Sequence, residues 1–279
     1  MLNLSPSDVA ASPFPHAVKQ GILPEDLYSE LRRDFPQTRA FAQQSETSGS
    51  AGSRVGKGTG FDIYRGDAAY DALIQSSPAW KRFDAWINSP EFVRKFNELF
   101  GDRLDALGCK VIVDPEAYDR ERVEGREVLT DSQTLADRAK SLGRKLFKHG
   151  DGGRKEAVRL FSRLDVEKSI GGYAKPPHCD RRNRLCSLII YFTDLEAAGT
   201  TGGELNIYAL KDEKAPQDHA RHPHLDEVDV VATIVPKENL GVFFPCSNNS
   251  YHGVNALQSQ DVERDFLYIN ISTDNFSAW

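Results

Sequence analysis

His178-Cys179-Asp180-Arg181-Arg182-Asn183-Arg184-Leu185-Cys186-Ser187-Leu188-Ile189-Ile190-Tyr191-Phe192 is the stretch from which the architecture is read. Its second half, Leu185 to Phe192, is a β-branched and aromatic run that predicts a buried strand. Its first half sets His178 and Asp180 two residues apart, so that at a strand end both side chains point the same way. Further strands follow. Val228 to Val235 alternates and stops at Pro236, and Leu240 to Phe244 and Asp265 to Ser272 complete the set. Short strands at turn spacing argue for an antiparallel sandwich.

Upstream the pattern is helical. Pro24 to Phe35 opens with Pro-Glu-Asp and spaces Leu27, Leu31 and Phe35 four apart on one face. Asp67 to Gln75, Ala79 to Asn88 and Pro90 to Phe100 also predict helices, with Trp80, Phe83, Trp86, Phe92, Phe96 and Phe100 as a heavy aromatic load, most of it core. Gln43 to Gly60 is rich in Ser and Gly and predicts a loop able to close over a substrate. From Leu107 short strands take over, interrupted by a charged excursion through Glu116 to Lys155. The expected organisation is one elaborated domain, 1–279, with a helical or lid portion at 1–104 and a β core at 105–279 carrying an insertion at about 116–155.

Two imidazoles and one carboxylate suit one face of an octahedral ferrous ion and leave the opposite face open. Three His-x-Asp copies compete for that role, and context chooses among them. His149-Gly-Asp151 lies in a turn composition that does not read as a strand. His224-Leu-Asp226 stands only 28 residues before His252, too close for the required strands. His178-Cys-Asp180 precedes the buried run, and His252, 74 residues later, supplies the third ligand. Arg264, 12 residues beyond His252, completes the set as a guanidinium able to bind a carboxylate through two parallel hydrogen bonds.

His178-x-Asp180, Leu188-Ile-Ile-Tyr-Phe192, Gly202-Gly-Glu-Leu205, Leu240-Gly-Val-Phe-Phe244, His252-Gly-Val254 and Arg264-Asp-Phe-Leu-Tyr268 occur in the order seen in prolyl 4-hydroxylase-like 2-oxoglutarate/Fe(II) dioxygenases. The chain resembles that family over roughly residues 158 to 276. Pro13-Phe-Pro-His16 and Leu23-Pro-Glu-Asp26 also resemble its N-terminal start. The resemblance implies a mainly β fold with supporting helices. Its core would be a double-stranded β-helix, a cupin-like jelly roll, preceded by N-terminal helices.

The same resemblance makes His178, Asp180 and His252 the iron ligands and catalytic centre, and Arg264 the partner of the distal carboxylate of 2-oxoglutarate. Tyr191 matches a tyrosine whose hydroxyl reaches that carboxylate. The family often places a further tyrosine three residues before the first histidine. Here that position is Lys175, and Tyr173 stands five before, so both are candidates for the inner co-substrate contacts. Implied cofactors are Fe(II), 2-oxoglutarate and O2, with ascorbate as an accessory reductant. The implied reaction releases succinate and CO2 and hydroxylates an unactivated C–H bond. Related halogenases replace the carboxylate ligand with a small residue, so Asp180 favours hydroxylation; desaturation, ring formation and demethylation use the same ligands.

Composition sets limits. The 279 residues are 39% apolar and 27% charged, ordinary for a soluble globular chain. Net charge is −6, which is unfavourable for general nucleic-acid binding. There is no basic-then-apolar leader and no apolar run of bilayer length, so no membrane association and a cytoplasmic location are expected. Cys109, Cys179, Cys186 and Cys246 lack Cys-x-x-Cys spacing and read as reduced thiols; alternation turns Cys179 away from the metal.

Charge is unevenly spread. Arg138 to Arg163 holds nine Lys/Arg against two Asp/Glu, and Arg181, Arg182 and Arg184 follow the Asp180 ligand. A basic mouth of this kind, with Arg181 and Arg182 as substrate contacts, would select an anionic small-molecule or carrier-bound substrate. The alternative is a solvated basic face paired with Glu116 to Glu127. Other functions remain open: a prolyl or polypeptide hydroxylase acting on a protein, a non-catalytic metal-binding sensor, and zinc hydrolysis, which leaves Arg264 unused. His219, His222 and His224 form either a second metal site or a solvated cluster.

Overall fold

A computed structural model describes residues 1–43, 60–123, 155–212, 220–275 and 278–279. The ordered elements are β1 (Val9–Ala10), β2 (His16–Gln20), α1 (Glu25–Arg33), β3 (Ala42–Gln43), β4 (Gly60–Tyr64), α2 (Ala68–Ser76), α3 (Pro78–Ile87), α4 (Pro90–Phe100), β5 (Val111–Ile112), β6 (Glu156–Ala157), β7 (Leu160–Ser169), β8 (Lys175–His178), β9 (Arg184–Tyr191), β10 (Leu205–Leu210), β11 (Val228–Ile234), β12 (Leu240–Pro245), β13 (His252–Val254) and β14 (Arg264–Thr273). Most of the loop expected at Gln43 to Gly60, most of the charged excursion, and His149 and His219 lie outside the described residues. Among the described residues no helix is long and apolar enough to cross a membrane.

The four expected helices form within two residues of their predicted bounds. Pro78 and Pro90 occupy first-turn positions, where a missing N–H costs nothing, and the Ser77 side chain accepts from the Trp80 amide to cap α3. Their aromatic faces are core: Trp80, Phe83, Phe92, Phe96 and Phe100 are all fully buried, with Phe92 stacked on Phe243 of β12 at 5.9 Å.

Two sheets face each other. The larger runs β1-β2-β12-β9-β14-β7-β4-β3 and the smaller β11-β10-β13-β8; a parallel pair, β5-β6, stands apart. All pairings within the two large sheets are antiparallel. From β7 onward the chain passes repeatedly between the sheets, so that β7, β9, β12 and β14 build one wall and β8, β10, β11 and β13 the other. This is the double-stranded β-helix, a jelly roll in which strands distant in sequence become neighbours. The reading of helices first and strands later misses β2 and β4, which extend the larger sheet at its two sides. His16–Gln20 is short and largely polar, and Gly60–Tyr64 is short and directly follows the Ser- and Gly-rich segment.

The larger sheet is covered on both faces, which explains why Leu185 to Phe192 is apolar at every position but Ser187. On one face Leu188, Ile190, Leu267, Ile269, Ile271, Leu164 and Val166 pack into the helical layer. On the other, Ile189, Tyr191, Val242, Phe244 and Phe266 meet Leu205, Ile207 and Ile234 of the smaller sheet. Each such aliphatic or aromatic side chain contributes roughly 1.5–3 kcal/mol when fully buried. The second layer is thinner, and the functional groups collect at its edge.

Candidate active site

His178 ends β8 and His252 begins β13, and antiparallel register sets them directly opposite each other. Their ring centroids are 4.4 Å apart. Gly253 permits this approach, because a Cβ there would lie 2.8 Å from the Lys175 carbonyl oxygen on β8. Each histidine is oriented in the same way: Nδ1 lies 2.9 Å from the Pro176 carbonyl for His178 and 3.0 Å from the Ser250 carbonyl for His252. A carbonyl only accepts, so each Nδ1 carries the hydrogen and each Nε2 keeps its lone pair free for an ion. Burial, reinforced by His252, pushes His178 well below the ordinary imidazole range, and burial likewise lowers His252 against the opposing pull of Asp180. Both rings are neutral near pH 7, the ligating form.

Asp180 lies just past the end of β8 and is buried. Its Oδ2 is 3.7 Å from His252 Nε2. Ser187 Oγ donates to Oδ2 at 2.6 Å and Arg184 Nη1 to Oδ1 at 3.3 Å. Burial opposes ionisation, but it is outweighed by His252 and His178 wherever those rings carry a proton, by Arg184 and by the Ser187 hydrogen bond, so the carboxyl is held well below its usual range. One donor atom from each of His178, Asp180 and His252 lies within 4.8 Å of the other two, and among the described residues no other such group of three forms. Intervening Cys179 turns away, its Sγ donating to the Asn248 carbonyl at 3.2 Å.

The second cluster surrounds Arg264. Its side chain is 1% exposed, and Nε and Nη1 find no hydrogen-bond partner among the described residues; the Tyr191 hydroxyl beside it finds none either. Three rings wall the guanidinium, with its Cζ 4.3 Å from the Phe266 centroid, 5.1 Å from that of Tyr191 and 5.8 Å from that of Tyr173. Gly203, at φ +80°, lies beneath the Arg264 stem, where a Cβ would come within 3.4 Å of Arg264 Cδ. A buried cation with unspent N–H groups is costly unless an anion completes it. An anion with two acceptor oxygens would satisfy both nitrogens.

Lys175 connects the clusters. Its Nζ is 5.9 Å from the centroids of both Tyr173 and Tyr268, and the fields of Tyr173, Glu167 and Asp180 raise its pKa against burial, so it stays charged. Glu167, on the same inner face of β7, is pushed up to about 7 by burial, with Asp165 and Asp62 adding to the rise and Lys175 and Arg264 opposing it.

The structure therefore brings His178, Asp180 and His252 together, and separately Arg264, Tyr191 and Tyr173. Arg181 and Arg182 are half-buried in the turn leading to β9. Of the basic stretch, Arg163 is buried and paired with Asp165 at 2.6 Å, and Arg159 pairs with Asp119 and Asp274; neither is a free surface charge. His222 stacks on His178 with centroids 6.1 Å apart, whereas His224 is exposed and its amide donates to Glu227. Sequence reasoning missed Ser187 and Tyr268 around Asp180 and put Arg184 in a basic mouth, whereas it is buried against Asp180 and Tyr268. The available signal was a Ser and a Tyr inside otherwise apolar strands, a pattern expected only where buried polar groups have partners.

Residues 166–271 match the family model described as the 2OG-Fe(II) oxygenase superfamily. No curated protein matches. Among solved structures the chain is similar to a prolyl 4-hydroxylase from Phytophthora capsici, at 14% identity and TM-score 0.44, covering 94% of this chain but only 60% of that one. A Pseudomonas putida prolyl-4-hydroxylase matches at 13% identity and TM-score 0.46, covering 93% of both chains. The non-heme alpha ketoglutarate dependent epimerase SnoN from nogalamycin biosynthesis matches at 9% identity and TM-score 0.46, covering 92% of this chain and 76% of that one.

Proposed function

We propose that this chain, whose residues 166–271 belong to the 2OG-Fe(II) oxygenase superfamily, is a hydroxylase in which His178, Asp180 and His252 hold the iron and Arg264 anchors 2-oxoglutarate. Membership brings Fe(II), 2-oxoglutarate and dioxygen as the reacting partners. When bound, they supply an oxidation in which 2-oxoglutarate becomes succinate and CO2 and one oxygen atom enters the substrate. The donor set fits: two neutral imidazoles and an ionised carboxylate suit a ferrous ion.

The observation that carries the reading is the buried Arg264, whose Nε and Nη1 find no partner among the described residues, beside the Tyr191 hydroxyl, which finds none among them either. A zinc hydrolase or a purely structural metal site has no use for a buried carboxylate receptor next to its ligands. In this reading Arg264 takes the distal carboxylate in parallel hydrogen bonds, Tyr191 donates a further one, and Phe266 and Tyr173 exclude water from the pair. Burial raises the Tyr191 pKa, which keeps the hydroxyl protonated and able to donate. Lys175 is assigned to the inner carboxylate or to an anionic substrate group.

The substrate is proposed to be an anionic small molecule, free or carrier-bound, approaching past Lys175, Arg181 and Arg182. The buried free thiols Cys109, Cys179, Cys186 and Cys246 suit a reducing compartment, and the proposal includes a cytoplasmic location. Anaerobic difference absorption with Fe(II) and 2-oxoglutarate tests the core of this reading. The visible charge-transfer band of the chelate is expected in wild type, lost in His178→Ala and weakened in Arg264→Ala. An iron-loaded, folded wild type without the band would refute it. Succinate release with candidate anions and peptides then ranks substrates, and turnover unchanged in Arg181→Ser/Arg182→Ser would remove the anionic preference.

A further inference from the structure

Asp180 is held differently from the two histidines. Each histidine rests on one main-chain carbonyl near it in sequence, whereas Asp180 lies beyond the ladder of β8 and is held by side chains of the opposite sheet. Arg184 Nη1 donates to Asp180 Oδ1 at 3.3 Å and to the Tyr268 hydroxyl at 2.7 Å. Ser187 Oγ spends its proton on Asp180 Oδ2, so across the 2.8 Å contact between Ser187 Oγ and Tyr268 Oη the tyrosine is the donor. Cys246 Sγ adds a weak donor to Oδ2 at 3.5 Å. Every proton in this ring runs toward the carboxylate.

The backbone is shaped to the same end. Alternation from inward-facing Ser187 would send Arg184 outward into the helical layer. The β9–β14 register shifts between Ile271 and Ser272, however, so that Ile271 pairs with Cys186 and Ser272 pairs with Arg184. Leu185 is the extra residue of a bulge, and the bulge turns Arg184 to the inner face, a use to which bulges near active sites are put. The Trp279 indole nitrogen fixes the same point by donating to the Arg184 carbonyl at 2.6 Å. A cation carried into the interior by a bulge is costly, and the carboxylate and phenol that meet its Nη1 offset part of that cost.

We propose that Arg184, Ser187 and Tyr268 form a preorganised anion cradle that sets the pose of the Asp180 carboxylate and thereby the affinity of the His178–Asp180–His252 site for its metal. The inference rests on Asp180 being a metal ligand. The three act through Asp180 and are positioning residues. Their part is to hold the carboxylate in place and to turn Oδ2 toward His252 before any ion arrives.

Anaerobic titration with Co(II), followed by its visible absorption, tests the cradle on the full chain. Tyr268→Phe and Ser187→Ala, which remove one hydroxyl each, are expected to weaken Co(II) roughly 10- to 100-fold, the scale of losses for groups that orient metal ligands. Arg184→Met is expected to lose more, with part recovered in Arg184→Lys. The decisive arm uses Asp180→Ala: added formate should occupy the vacated cradle and restore Co(II) binding at saturating concentration, and adding Tyr268→Phe should shift that rescue to higher formate. Folding defects alone would not produce an anion-dependent rescue. Wild-type affinity in both Tyr268→Phe and Ser187→Ala overturns the proposal, as does rescue that is absent or indifferent to Tyr268. A wild type that binds Co(II) no better than His178→Ala removes the metal-site reading itself, and the cradle with it, and is distinguished by needing no cradle variant.

Discussion

The two faces of β14 are one residue apart and do different work. Leu267, Ile269 and Ile271 are fully buried beneath the helical layer. Arg264, Phe266, Tyr268 and Asn270 point the other way, where unspent polar groups and site residues collect. Strand alternation with period two enforces this division: the outer face supplies burial, and the inner face can carry groups that would be liabilities in a pure core. The larger sheet thereby stabilises with one side what the other side uses for chemistry. If the division is real, inner-face changes should alter ligand affinity with little effect on folding, and outer-face changes the reverse.

The largest expected effect tests the inner face at its metal edge. His178→Ala and His252→Ala should each reduce 2-oxoglutarate turnover to background and abolish stoichiometric Fe(II) binding, with urea unfolding of the metal-free protein within about 1 kcal/mol of wild type for the half-buried His178 and a larger loss for His252, whose buried ring packs on Phe244. Comparable metal binding in either variant would move the site elsewhere. Arg264→Ala comes next. Truncating one partner of a buried charge-assisted pair typically costs about 2–5 kcal/mol, so KM for 2-oxoglutarate should rise on the order of 10²- to 10³-fold with iron affinity retained. The outer-face counterpart is Ile269→Ala, expected to cost about 2–5 kcal/mol of stability through lost contacts and a cavity. KM for 2-oxoglutarate should not change, and a rise there would show that the two faces are not independent.

How much of this could be read from sequence follows the same division. The outer face and the β9 run are legible because apolar density and period announce a buried strand. His178, Asp180, His252 and Arg264 are legible as a spaced set, since their residue types suit a common chemistry whatever the fold. Arg184 is not. Its inward turn depends on a register shift between β9 and β14 that no single-strand pattern encodes. β2 and β4 are hidden for a related reason: five residues such as His16-Ala-Val-Lys-Gln20 become a strand only because β12 offers an edge, with Gly241 leaving room for Ile22, whose Cδ1 would lie 2.0 Å from a Cβ there. Local composition reports on burial, whereas pairing partners far along the chain decide which polar residues burial brings together.

Glu167 offers a sharper test through pH. Its folded pKa of about 7 is raised from an ordinary 4.5, so between those values the folded state holds a proton that the unfolded state has released. The contribution of this group to stability is full below pH 4.5 and declines as pH rises through 7. Glu167→Gln keeps the neutral shape. In the metal-free protein it should leave unfolding free energy nearly unchanged at pH 5 and raise it at pH 8 relative to wild type. A stability difference independent of pH would mean that Lys175 fully compensates the charge. His178 and His252 bend the wild-type curve the other way on its acid side: with depressed folded values they resist protonation, so stability falls as pH drops below about 6.5.

The smallest effect is the most discriminating. Tyr191 is fully buried, and its hydroxyl has no partner among the described residues. As ordinary core, such a hydroxyl is a defect, and Tyr191→Phe should stabilise the protein slightly with no kinetic consequence. As a donor to a bound carboxylate, it is unsatisfied only until the ligand arrives. A hydrogen bond to a charged group is worth about 1.5–3 kcal/mol, so Tyr191→Phe should then raise KM for 2-oxoglutarate about tenfold or more while the ligand-free melting temperature holds or rises. The two readings agree on stability and part on KM. Combined with Arg264→Ala, the substitution should cost less than it does alone, because both groups serve one carboxylate and their losses cannot add fully. Full additivity would place Tyr191 outside the receptor and leave Arg264 as its single charged anchor.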